Sequence, residues 1–145
     1  MALTEHLRVQ HAELIEVLRA IAGRLDAPAR GAADIRAELT VLADKLGKHL
    51  RLEDDVLYPI LAEHDADEVR TLGQRFVAEM SGVRPSFASF SDRWSADAIA
   101  ADPATFATEA RTLFAVIEDR IARENRELYP VADVAALTSR LCVPR

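Results

Sequence analysis

Two stretches of this chain set ionisable groups at helical spacing, the first with imidazole, carboxylate and guanidinium and the second with carboxylate and guanidinium. The first is His49-Leu50-Arg51-Leu52-Glu53-Asp54-Asp55-Val56-Leu57-Tyr58-Pro59. It belongs to a series of inward positions, Ile35, Leu39, Leu42, Leu46, His49, Glu53, Val56 and Ile60, that step by four and three residues. Such stepping keeps every member on one stripe of a helix. His49 and Glu53 therefore lie one turn apart on the face that should be core. Buried there, they need a partner: a metal ion, a buried cation or a hydrogen-bond network. The second stretch, Arg120-Ile121-Ala122-Arg123-Glu124-Asn125-Arg126-Glu127-Leu128-Tyr129-Pro130, repeats the first. Glu124 aligns with Glu53, Leu128 with Leu57, Tyr129 with Tyr58 and Pro130 with Pro59. The chemically loaded difference is Arg120 in the place of His49. A repeat of this kind predicts two helix pairs related by internal symmetry.

The rest of the chain supplies the helices that must position these groups. Thr4 is a suitable N-cap for a first helix with the stripe Leu7, His11, Leu14, Leu18, Ile21 and Leu25. His11 is thus a third ionisable group on an apolar face. Asp26 to Gly31 reads as a loop. The second helix runs to about Glu63, with a bend at Pro59, which lacks a ladder hydrogen bond. Asp65-Ala66-Asp67-Glu68 has the form of a capping box opening a third helix. Its stripe is Val69, Leu72, Phe76, Met80, Val83, Phe87, Phe90 and Trp94, with a kink expected at Gly82 and Pro85. Ser95 to Asp102 is a connection with room for one helical turn, and Asp102-Pro103 opens a fourth helix. That helix carries the stripe Phe106, Ala110, Leu113, Ile117, Arg120, Glu124 and Leu128. Val131 to Cys142 leaves room for a short C-terminal helix covering one bundle end.

Four amphipathic helices joined by short loops predict an all-α, up-down-up-down four-helix bundle, one domain over residues 1–145. Counting outward from the loops places His11, His49, Glu53, Arg120 and Glu124 in one layer, faced from the third helix by Phe76 and Met80. The net charge of -6 argues against nucleic acid and anionic membrane as partners. No apolar run is long enough to span a bilayer, and the N-terminus has no signal-peptide pattern. Cys142 is the lone cysteine, which fits a reducing, cytoplasmic setting. Asp54 and Asp55 read as solvated, Tyr58 and Tyr129 as packing residues whose hydroxyls reach the site or the surface. Phe87, Phe90 and Trp94 read as an apolar plug at one bundle end.

His11, the His49-x-x-x-Glu53 motif with Leu57-Tyr58-Pro59, and Glu124 with Leu128-Tyr129-Pro130 together resemble the hemerythrin-like, or HHE cation-binding, family. The resemblance spans nearly the whole chain. It implies a four-helix bundle around a di-iron centre that binds oxygen, or senses oxygen, iron or reactive species. Two departures bear on the metal. Arg120 stands where the second motif should begin with His, and the third helix offers Phe76 and Met80 in place of an inward His.

Ligand counting sharpens the point. Of the four histidines, His64 lies roughly 16 Å along the helix from Glu53, and His6 is turned about 140° from His11. The candidate metal ligands are therefore His11, His49, Glu53 and Glu124, enough for one ion and too few for two. Arg120, a permanent cation, repels a divalent metal and matches two carboxylates in charge and fork geometry. Three arrangements remain open: a metal-free polar core in which Arg120 replaces the metal, a mononuclear site with Arg120 swung outward, or a register that leaves some of these groups solvated. The first leads. It implies no cofactor and a non-enzymatic regulatory or interaction module that contacts a protein partner or a second copy of itself. The alternative is a non-haem protein, holding one iron or another divalent ion or a di-iron centre, that binds or senses oxygen or another small ligand.

Overall fold

The computed structural model describes residues 2–142, and side chains through residue 136. The chain forms α1 (Leu3–Ala22), a 3₁₀ turn (Pro28–Gly31), α2 (Ala32–Leu52), α3 (Tyr58–Ala62), α4 (Asp67–Met80), α5 (Val83–Arg93), α6 (Ala96–Ala101), α7 (Pro103–Arg123) and α8 (Tyr129–Cys142). No strand occurs among the described residues. These helices make four arms of a bundle: α1; α2 with α3; α4 with α5; and α7 with α8. α1 packs on α2 and α7, α5 on α2 and α7, and α3 on α4. Short connections between long arms force neighbouring arms to run antiparallel, as the stripes predict.

The second and fourth arms each contain one widened π turn, at Glu53–Leu57 and Glu124–Leu128. In each, the tyrosine amide reaches back five residues, Tyr58 N–H to the Glu53 carbonyl and Tyr129 N–H to the Glu124 carbonyl. The proline that follows explains the widening. Pro59 and Pro130 have no N–H, and their rings would clash with the carbonyl four residues back in a regular helix. The extra residue in the turn moves the downstream phase by about 100°. Val56 and Ile60, expected inside, are therefore 40% and 56% exposed, and Leu57 and Leu61 are buried instead.

Other local expectations change in smaller ways. Thr4 is not an N-cap: α1 begins at Leu3 behind Ala2, and the Thr4 hydroxyl donates to Asp133 on α8. The capping box does not close. α4 starts after Ala66 with no side-chain cap, and Ala66 N–H donates to His64 Nδ1 instead. Val69, Leu72 and Leu113 are half-buried, and Phe114 takes the full core position beside Leu113. The C-terminal helix begins at Tyr129, is continuous with α7 through the π turn, and packs along α1 and α4. The side chain of Cys142 lies outside the described residues.

The third arm breaks at Ser81 and Gly82, between α4 and α5, where the kink was expected. Asp102 caps α7, its carboxylate accepting from Thr105 N–H, with Pro103 in the first turn. The core has two apolar clusters. The larger includes Leu14, Leu18, Leu39, Leu46, Phe90, Trp94, Phe106 and Ile117. The smaller holds Leu7, Leu57, Tyr58, Leu61, Phe76, Met80, Leu128 and Tyr129. Phe90 stacks on Phe106 in the larger cluster, so the Phe87, Phe90 and Trp94 plug is in place.

α3 and α4 approach very closely at Gly73. A Cβ added there would lie 2.5 Å from the Ala62 amide nitrogen and 2.6 Å from the Leu61 carbonyl carbon. Those are backbone atoms, so the helices must separate to admit it. Gly73→Ala should therefore destabilise the fold by about 1–3 kcal/mol, the usual scale for overpacking. Urea unfolding checks this, and an unchanged midpoint would contradict the close approach.

Candidate metal centre

A polar layer crosses the core where the first arm, the two π turns and the break in the third arm come level. His11 and His49 are 2% and 1% exposed, Arg120 is 1% exposed, and Glu53 and Glu124 are fully buried. One ligand atom from each of His11, His49, Glu53 and Glu124 lies within 4.8 Å of the others. The residues expected to converge do so.

The two imidazoles are held in the same manner. His49 Nδ1–H donates to Gln10 Oε1 at 2.7 Å, and His11 Nδ1–H donates to Asn125 Oδ1 at 2.8 Å. Each ring then presents Nε2 to a carboxylate. His49 Nε2 lies 3.0 Å from Glu53 Oε1, and His11 Nε2 lies 3.0 Å from Glu124 Oε1. Burial, with help from neighbouring His11 and Arg120, lowers the His49 pKa to about 3 against the opposing pull of Glu124 and Asp54. The ring is neutral, and its single hydrogen is already given to Gln10. His49 Nε2 is consequently a buried lone pair with no hydrogen-bond partner, set against a carboxylate oxygen. Two facing lone pairs at that distance repel unless a proton or a cation lies between them.

Arg120 is inside the layer. Its Nη2 donates to Glu53 Oε1 at 3.2 Å and to Asp54 Oδ1 at 3.0 Å, its Nε to Glu124 Oε2 at 3.3 Å, and its Nη1 to the Met80 carbonyl at 3.1 Å. Met80 is the last residue of α4, so the helix break presents one of its terminal carbonyls to the guanidinium. The guanidinium carbon also sits 5.0 Å from the Tyr58 ring centroid. Burial alone would lower the Arg120 pKa. Tyr58, Glu124, Glu53 and Asp54 outweigh that and raise it. Burial raises the Glu124 pKa, assisted by Glu53 and opposed by neighbouring His11 and Arg120.

Asp54, expected to be solvated, has a side chain only 18% exposed and pairs with Arg120. The π turn carries it inward. Asp55 keeps the expected outward position, 56% exposed and paired with Arg84. Asn125 aligns with Asp54 in the repeat, and each reaches a layer residue contributed by another arm. Gln10 and Asn125 were not singled out in the sequence. Alignment of the two motifs contains the signal for Asn125, and none marks Gln10 except its place beside His11. Tyr58 and Tyr129 are buried with their hydroxyls in the site, not at the surface. Phe76 stays an apolar wall, its ring centroid 6.1 Å from that of Tyr58.

A family model described as the hemerythrin HHE cation-binding domain matches residues 2–132. The chain belongs to the hemerythrin HHE family. No curated protein and no solved structure matches it. The hemerythrin-like fold thus comes with a buried His/Glu cluster of the kind that holds a cation, and the four donor atoms test what fits. Two imidazole nitrogens and two carboxylate oxygens suit one transition-metal ion. Arg120 occupies the second motif's first position and bonds both of these carboxylates. Among the described residues no helix is long and apolar enough to cross a membrane.

Proposed function

We propose that this hemerythrin-like protein holds one divalent transition-metal ion through His11 Nε2, His49 Nε2, Glu53 Oε1 and Glu124 Oε1. Arg120 takes the place of a second cation. The observation that carries this reading is the bare, buried His49 Nε2 facing Glu53 Oε1 at 3.0 Å. The sequence favours a centre without an ion. The unpaired nitrogen favours an ion, and we follow it. The ion would supply a compact positive charge tying the first, second and fourth arms together.

A specific observation favours the metal-free arrangement as a second reading. Arg120 already bonds both carboxylates, which is the arrangement expected of a guanidinium replacing a metal. In both readings the protein is a non-enzymatic regulatory or interaction module acting in the cytoplasm on a partner or a second copy. Support for that role comes from the burial of the layer, in which His11, His49, Glu53, Arg120 and Glu124 are each at most 2% exposed. Elemental analysis of protein purified from iron-rich and zinc-rich media separates the readings. We expect up to one ion per chain and no oxo-bridged di-iron absorption. No ion under any loading condition leaves the Arg120-filled core, and two tightly held ions refute both.

A further inference from the structure

The two repeats are cross-linked through their tyrosines. The Tyr58 hydroxyl, from the second arm, donates to Glu124 Oε2 on the fourth. The Tyr129 hydroxyl, from the fourth arm, donates to Glu53 Oε2 on the second at 2.5 Å, with His11 Nε2 3.0 Å away. Both phenols are buried, at 2% and 0% exposure. Each hydroxyl is the donor to its carboxylate. The exchange is reciprocal: each repeat's phenol binds the other repeat's carboxylate, and each π turn begins at its glutamate and is followed directly by its tyrosine.

The oxygens divide accordingly. Oε2 of each glutamate faces a phenol, and on Glu124 Arg120 Nε as well. Oε1 of each faces an imidazole Nε2, and Glu53 Oε1 also accepts from Arg120 Nη2. We infer that Tyr58 and Tyr129 are positioning residues that reserve one oxygen of each glutamate for the cation and make each half of the centre depend on the other half's phenol. This rests on the single-ion reading above. Removing the Tyr58 hydroxyl leaves Glu124 Oε2 with Arg120 Nε alone, so the buried carboxylate is one donor short and can turn this oxygen toward the ion. Such losses around a ligand commonly weaken metal affinity about 10–100-fold. The fault should appear at the glutamate of the opposite repeat.

The test is Co2+ titration of the full chain, followed by its visible ligand-field spectrum, with circular dichroism as the folding check. Tyr58→Phe and Tyr129→Phe keep the rings that pack the core. Each should weaken Co2+ binding by about 10–100-fold and reduce band intensity as the coordination number rises. The dependence should be crossed. Tyr58→Phe adds no further loss in a Glu124→Gln background and its full loss in a Glu53→Gln background. Tyr129→Phe shows the opposite pairing. Losses that add in every background indicate plain packing and overturn the proposal. Wild type that binds Co2+ while both Phe variants match it in affinity and spectrum overturns the proposal alone. Wild type that takes up no Co2+ overturns the single-ion reading and the proposal with it.

Discussion

Arg120→Ala should destabilise the folded protein by about 3–5 kcal/mol, the scale of removing one partner from a buried ion pair. The side chain is 1% exposed and holds Glu53, Asp54, Glu124 and the Met80 carbonyl through hydrogen bonds. Truncation leaves the two buried carboxylates without their cation and an α4 terminal carbonyl without a donor. It also opens a void that the rigid junction of four arms is slow to fill. Arg120→Lys should fall between, because an ammonium restores the charge but cannot span four acceptors as the planar fork does. Urea unfolding in the presence of a chelator measures both losses. Added Zn2+ should then recover part of the Arg120→Ala deficit, since an ion that binds the folded state at a hundred times its dissociation constant adds about 2.7 kcal/mol. An Arg120→Ala protein with the wild-type midpoint, indifferent to Zn2+, would mean that the carboxylates do not depend on the guanidinium.

Why that network was readable in part follows from what a helical period can and cannot carry. His11, Leu14, Leu18 and Ile21 keep a constant phase in a regular helix, so their side chains were placed from spacing alone. His49 and Glu53 lie before the π turn, and Arg120 and Glu124 before its counterpart, so they too were placed correctly. The period fails immediately afterward, at Val56 and Ile60, because one extra residue enters the turn. The information was present as Tyr58-Pro59 and Tyr129-Pro130, since a proline there cannot coexist with the preceding regular turn. Reading it as a bend near the helix end missed the change of phase, and with it the inward turn of Asp54. Gln10 was illegible for a different reason: a neutral polar residue beside a stripe has no periodic signature, and only the three-dimensional position of His49 Nδ1 gives it a role.

Restoring the motif should change the number of ions held. On the single-ion reading, Arg120→His combined with Met80→His should raise the loading from one divalent ion per chain to two, measured by elemental analysis after Co2+ saturation and desalting. The first change places an imidazole one turn before Glu124, as His49 stands one turn before Glu53. It also removes the fixed charge that repels a second cation and releases Glu53 Oε1 and Glu124 Oε2 from the guanidinium. The second change puts a nitrogen donor at the end of α4, where the Met80 carbonyl now meets Arg120 Nη1 at 3.1 Å. Met80 is 4% exposed, so its replacement is held within the packed layer. Arg120→His alone should bind the second ion more weakly, having one donor fewer. Without metal the double variant should be less stable than wild type, because the buried carboxylates lose their counter-charge. With metal it should gain the larger share, because two binding events are linked to folding. A double variant that folds, by circular dichroism, yet saturates at one ion would show that Arg120 is not what limits the centre. The limit would then lie in the spacing of the two glutamates, each of which also accepts from a tyrosine hydroxyl.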